Sequence, residues 1–201
     1  MAISDDGSVV AIGSPDANAG AGAVRVFSNT AGTWSQRGAT IDGENPGDSA
    51  GGVGCVSITA NGLAVAVGAP NFDGAKGSVR VFDYDAASGA WNQRGSTISG
   101  TSAGDAAGAA VAIAGGGSSL IVGSRRSSDS ASFAGQVRIF QYVNSAWTQK
   151  GANFNGEAAS YWNGAAVAIS TAGTSFAFSA PGSDDAVVGG GEVKVYFLNN
   201  A

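Results

Sequence analysis

Residues 56–100 read VSITANGLAVAVGAPNFDGAKGSVRVFDYDAASGAWNQRGSTISG. Four short stretches with strand character stand out in this segment: 56–58, 63–67, 79–82 and 91–95, the last running on to Ile98. Asn61-Gly62 separates the first two, and that pair is a strong hairpin signal. It predicts a two-residue turn with both central residues at positive φ. Pro70 closes the second stretch because proline has no amide hydrogen to give to a ladder. Apolar residues never recur at a sustained 3.6-residue spacing, so essentially no helix is expected. The segment reads as four short antiparallel strands.

Working outward, the same unit recurs across the whole chain. Ile3, Ile58, Ile113 and Ile169 each close a Met/Val-Ala/Ser-Ile triplet, at spacings of 55, 55 and 56 residues. Turn pairs follow at Asp6-Gly7, Asn61-Gly62, Gly116-Gly117 and Ala172-Gly173. Next come Gly13-Ser14-Pro15, Gly68-Ala69-Pro70, Gly123-Ser124-Arg125 and Ser179-Ala180-Pro181, and then a Val-Arg-Val-Phe-like strand. Trp-x-Gln-x-Gly appears at Trp34, Trp91 and Trp147 but not in the fourth copy. A period of this length marks stacked supersecondary units, none of which buries a core alone. Four antiparallel strands per unit describe a propeller blade. The expected fold is therefore an all-β propeller in one domain, 1–201, with blades near 1–54, 55–109, 110–165 and 166–201. Its fourth blade lacks the outer strand. Two readings stay open: a four-bladed ring, or a fragment of a larger propeller. Met1 stands where Val56, Val111 and Val167 stand, so the chain opens inside its first strand and a longer parent protein is expected.

Composition narrows the function classes. Hydrophobic residues make up 44% and charged residues 12%, which suits extensive burial and argues against disorder. The net charge of −5 comes without a basic cluster, so no nucleic acid partner is expected. No apolar run is long enough to span a bilayer as a helix, and no membrane insertion is expected. Cys55 is the single cysteine and falls in register with Ala110 and Ala166, the mark of a small buried residue.

At the Gly-Ala-Pro segment ends the chain resembles the FG-GAP repeat family, the blade type of the integrin α-subunit propeller. Gly68-Ala69-Pro70 matches one half of the motif fully; Gly51, Gly108 and Gly164 keep the glycine of the other half, where Ala50, Ala107 and Asn163 replace the aromatic. The resemblance extends to the variant with a Trp-x-Gln-x-Gly outer strand. It implies adhesion or recognition by a secreted or cell-surface protein. Integrin-type blades often bind calcium in an acidic hairpin, but only Asp5-Asp6 among the four corresponding turns carries two acids. Calcium wants six to eight oxygens. No cofactor is therefore expected.

The chain has no histidine, which removes Ser-His-Asp and Cys-His catalysis and histidine metal sites. No Gly-Lys-Ser/Thr follows a glycine loop. The fifteen acids are scattered, with Asp42, Glu44 and Asp48 the densest group. The expectation is that the protein is not an enzyme. Binding should lie where the copies differ. The step from Pro15 to Val24 and from Pro70 to Val79 is nine residues, but from Arg125 to Val137 and from Pro181 to Val193 it is twelve. The longer loops carry Arg125, Arg126, Asp129 and Phe133, and Asp184 and Asp185. In the connection after copy three, Tyr161 and Trp162 replace Asp105 and Ala106. The candidate ligand-binding residues are Tyr161, Trp162, Arg125, Arg126 and Phe133. The two loop aromatics either form a platform for a protein or glycan ligand, or plug the channel or a blade gap. Residues 193–198 form an edge strand open to self-association.

Overall fold

The computed structural model describes residues 1–184 and 187–198; Asp185 lies outside them. Each copy folds as an antiparallel meander. Blade one holds β1 (Ala2–Ile3), β2 (Val9–Ser14), β3 (Ala23–Thr30), β4 (Thr33–Gln36) and β5 (Ile41–Asp42). Blade two holds β6 (Val56–Ile58), β7 (Ala64–Ala69), β8 (Ser78–Asp85), β9 (Ala90–Gln93) and β10 (Ile98–Ser99). Blade three holds β11 (Ala110–Ile113), β12 (Ser119–Ser124), β13 (Gln136–Val143), β14 (Ala146–Gln149) and β15 (Phe154–Asn155). Among the described residues blade four has three strands, β16 (Val167–Ile169), β17 (Ser175–Ala180) and β18 (Glu192–Phe197). The chain is a β-propeller arc whose fourth blade, among the described residues, is short of an outer strand.

Two local expectations are corrected. The outer strand is not continuous. Its two pieces pair with the same neighbour, Gln36 opposite Phe27 and Ile41 opposite Val24. Four residues, Arg37 to Thr40, therefore face two, and the strand bulges. The Gln36 amide bridges the bulge to the Gly38 carbonyl at 3.1 Å, and Gln93 and Gln149 repeat the bond to Gly95 and Gly151. The inner hairpins are not two-residue turns with both residues left-handed. Gly7, Gly62, Gly117 and Gly173 have positive φ, but Asp6 and Asn61 do not. Asp6 instead accepts from the Ser8 amide at 2.9 Å, and Asn61 from the Leu63 amide at 3.0 Å. Such side-chain turns need one left-handed residue only. The two short helical segments, Ala17–Gly20 and Phe72–Ala75, each hold three residues with positive φ and are turns in substance.

Blades pack face to face through three apolar clusters, one per interface. The outer rim is tied by Trp91, whose indole N–H donates to the Arg37 carbonyl of the blade before at 2.7 Å, and by Trp147, which does the same to Arg94 at 2.9 Å. Near the axis, the glycine ending each second strand lies under the next connection. A Cβ on Gly13, Gly68 or Gly123 would stand 1.8, 2.1 or 2.3 Å from the carbonyl oxygen of Gly51, Gly108 or Gly164. Alanine there would push adjacent blades apart. The fourth copy has Ser179 at this place, and no described connection follows it.

The arc is open. Val26, Val81 and Ile139 are 1% exposed where the next blade covers them, but the equivalent Val195 is 62% exposed. At the other end Trp34 is 46% exposed, and Ile3 and Ile12 are exposed beside it. The closed four-bladed ring is thereby excluded in favour of an arc with two uncovered end faces.

Candidate rim site between blades three and four

The loops joining second to third strands share one rim with the blade-to-blade connections, as the propeller reading expects. Each connection runs beside the loop before it. Ser49, Ala106 and Trp162 donate their backbone N–H to the carbonyls of Gly20, Ala75 and Phe133, at 2.9, 2.8 and 3.2 Å. Gly22 with Ala50, Gly77 with Ala107 and Gly135 with Asn163 form single parallel bridges next to these bonds. Trp162 and Phe133 are therefore backbone partners, and the scaffold holds them side by side.

Both aromatics have left-handed backbones, Trp162 at φ 55° and Phe133 at φ 52°. Bulky residues rarely adopt that region, and holding one there costs energy that the surroundings must supply. Copies one and two place Ser49 and Ala106, or Gly20 and Ala75, at the same points. Copy three alone puts large rings there. Trp162 is 42% exposed and Phe133 49%. A Cβ on Gly182 of the next blade would stand 1.9 Å from the Ser160 carbonyl oxygen and 3.2 Å from Trp162 Cε3, so the connection and its indole lie close against this glycine.

Arg125, Arg126, Phe133, Trp162, Ala165 and Pro181 enclose a cavity of about 430 Å³. Arg125 and Arg126 also line a neighbouring cavity of about 630 Å³ with Cys55, Pro70 and Ala166. Arg126 and Phe133 border a third, of about 320 Å³, with Asp105 and Asp129. The three adjoin as one groove along the rim. Both guanidinium groups are exposed, and among the described residues neither makes a hydrogen bond or ion pair. Arg80 and Arg138, by contrast, are occupied: Arg80 bonds the Asp42 carbonyl at 2.6 Å, and Arg138 the Ser99 carbonyl at 2.8 Å. Burial pushes the Cys55 thiol up to about 11, against a Gly52 backbone bond and the Arg125 charge. That thiol is a buried packing group.

Four of the five residues singled out from sequence converge here. Tyr161 is the correction. It is 8% exposed and turns inward at the place where copies one and two bury Asp48 and Asp105. Those aspartates accept amide bonds from their own loop, Asp48 from Asn45 at 2.7 Å and Asp105 from Ser102 at 2.7 Å. Tyr161 fills the same space with an apolar ring. Of the two readings of the aromatic pair, burial holds for Tyr161 and exposure for Trp162. Sequence reasoning missed Pro181 and Gly182, which belong to the next blade; their signal was a shared motif end, which carries no mark of contact with Trp162. Beneath the groove, buried Gln136 replaces the smaller Ala23 and Ser78 and donates to Asp129 at 2.6 Å and Asn155 at 3.0 Å.

The calcium turn implied by the resemblance does not fit the residues present. Asp6 spends its oxygens on Ser4 and Ser8, and those bonds hold its carboxyl down at about 2. Among the described residues no group of three histidine, cysteine, aspartate or glutamate side chains could hold a metal ion. No helix among them is long and apolar enough to cross a membrane.

No family model matches the sequence, and no curated protein matches it. Solved structures do match in shape. TolB from Acinetobacter baumannii superposes over 99% of this chain at 16% identity with a TM-score of 0.56. A protein of Bacteroides uniformis assigned as a 6-phosphogluconolactonase does so over 98% at 16% identity and 0.61. A protein of Agrobacterium tumefaciens assigned as TolB does so over 96% at 15% identity and 0.52. The chain spans 40%, 49% and 62% of the lengths of these three structures. At such identities the likeness concerns the fold. It also corrects the expectation that the protein is not an enzyme: a protein of this shape is assigned as a lactonase, so the architecture does not exclude catalysis.

Proposed function

We propose that this chain is a propeller module for protein recognition, and that the rim groove of Arg125, Arg126, Phe133 and Trp162 is its binding face. The carrying observation is the pair of half-exposed aromatics on left-handed backbones, placed where the other copies have small residues. Backbone strain kept at an exposed cleft is typical of ligand clamps. Aromatic and arginine side chains are also the residue types that dominate binding energy in interfaces. The two guanidinium groups, which have no partner among the described residues, favour a ligand segment with a carboxylate beside an apolar side chain, since arginine binds carboxylate through two parallel hydrogen bonds. The FG-GAP resemblance supports the finer reading, adhesion by a secreted or cell-surface parent protein.

A second reading rests on Trp162 itself, whose exposed ring suits stacking on a sugar face. An array of acidic peptides and glycans probed with the whole chain separates the two. The expected result is capture of acidic peptides with aromatic or aliphatic neighbours, lost in Trp162→Ala with the melting temperature unchanged. Glycan capture lost in the same variant would favour the second reading. A melting temperature lowered in Trp162→Ala with peptide capture retained would make the indole a core residue and remove the site.

A further inference from the structure

We infer that the open edge of β18, with the slot above Gly151, is an acceptor site for an extended segment carrying the Trp-x-Gln-x-Gly pattern. Three complete blades show what the fourth is built to receive. In blades two and three the outer strand lays its tryptophan over the bulge glycine of the blade before. A Cβ on Gly38 would stand 2.9 Å from Trp91 Cδ1, and one on Gly95 would stand 3.0 Å from Trp147 Cδ1. Gly151 is the third such glycine, with φ 77°, and nothing lies within 4 Å of the same point. The bulge, its glycine and the Gln149 bridge to the Gly151 carbonyl are all formed there. Blade three thus offers a finished seat for an indole.

The rest of the acceptor is on blade four. Among the described residues β18 pairs on one side only, with β17. Tyr84 and Tyr142 pack on Trp91 and Trp147 with ring centroids 5.1 Å apart, and Leu198 stands at their place. The register follows from the complete blades, where glutamine faces Phe27, Phe82 and Phe140, and the later apolar residue faces Val24, Val79 and Val137. An incoming strand therefore sets its glutamine opposite Tyr196, its tryptophan opposite Leu198 and its Ile or Phe opposite Val193. Main-chain bonds to the edge supply affinity, and the indole slot supplies selectivity, as in other strand-addition complexes. This inference is independent of the rim groove.

The probe is a fluorescein-labelled peptide of residues 144–156, the third outer strand, titrated into the whole 201-residue chain and read by anisotropy. Saturable binding is expected, weakened at least about tenfold when the peptide carries Trp147→Ala, the size of effect set by one buried aromatic anchor. Amide exchange should slow at residues 192–197 on binding. Equal binding of both peptides, no saturation, or protection confined to the exposed face of blade one would overturn the proposal. So would a stable dimer that protects residues 192–197 and resists the peptide, because the edge would then belong to a second copy.

Discussion

Phe133 and Trp162 show how far a single residue can depart from its repeat while the backbone stays put. Gly20, Ala75 and Phe133 share one left-handed position, with φ of 80°, 60° and 52°. The fold demands the angle, and glycine meets it at no steric cost. A phenylalanine there adds strain, and its half-exposed ring recovers little by burial. Phe133→Gly is accordingly expected to change the unfolding free energy by no more than about 1 kcal/mol, measured by urea denaturation, while lowering ligand capture at the rim. A loss near 3 kcal/mol, the cost of emptying an aromatic core position, would show that the ring is packing material. Repetition of Arg125's neighbours in the other copies tells nothing about this. Only the mismatch between a strained angle and a large exposed side chain does.

Within the outer strand, the Trp-x-Gln-x-Gly motif has one physical job spread over three residues. Glutamine spans the bulge, glycine permits its left-handed corner and leaves room above it, and tryptophan of the next blade bonds the carbonyl that the bulge turns outward. Trp147→Phe keeps a ring in the slot but deletes the N–H that reaches Arg94 at 2.9 Å. It should cost roughly 1–2 kcal/mol, a lost hydrogen bond plus a smaller ring. Trp34→Phe should cost close to nothing, since among the described residues no blade precedes it and its indole is half exposed. Paired urea melts of the two variants check this. Equal costs would mean that the tryptophans act within their own blades and do not join neighbours.

For the molecule as a whole, the blades form a linear series in which each leans on its neighbours, so stability should be greatest in the middle. β7 and β12 are buried at every residue, whereas β17 alternates buried and half-buried positions and β2 exposes Ile12. Hydrogen exchange should find β7 and β12 the last to exchange and β17 and β18 at least about tenfold faster. Uniform protection across four blades would indicate a closed ring in solution and contradict the uncovered end faces. Association that buries those faces would raise protection at blades one and four together.

The copy number, the order of strands in each blade and the missing fourth outer strand were all legible in the chain, because period-two alternation, turn residues and proline act locally. The candidate groove was legible in part: loop lengths and the break in pattern at Trp162 located Arg125, Arg126, Phe133 and Trp162. Which way each ring points was decided by the folded structure. Tyr161 goes inward because a buried aspartate's place stands open to it, and Trp162 stays half exposed on the rim, beside Gly182 of the next blade. The bulge in the outer strand and the openness of the arc are likewise tertiary facts. Each depends on what residues about fifty positions away, or a whole blade away, do to one another, and a local pattern holds no record of such contacts.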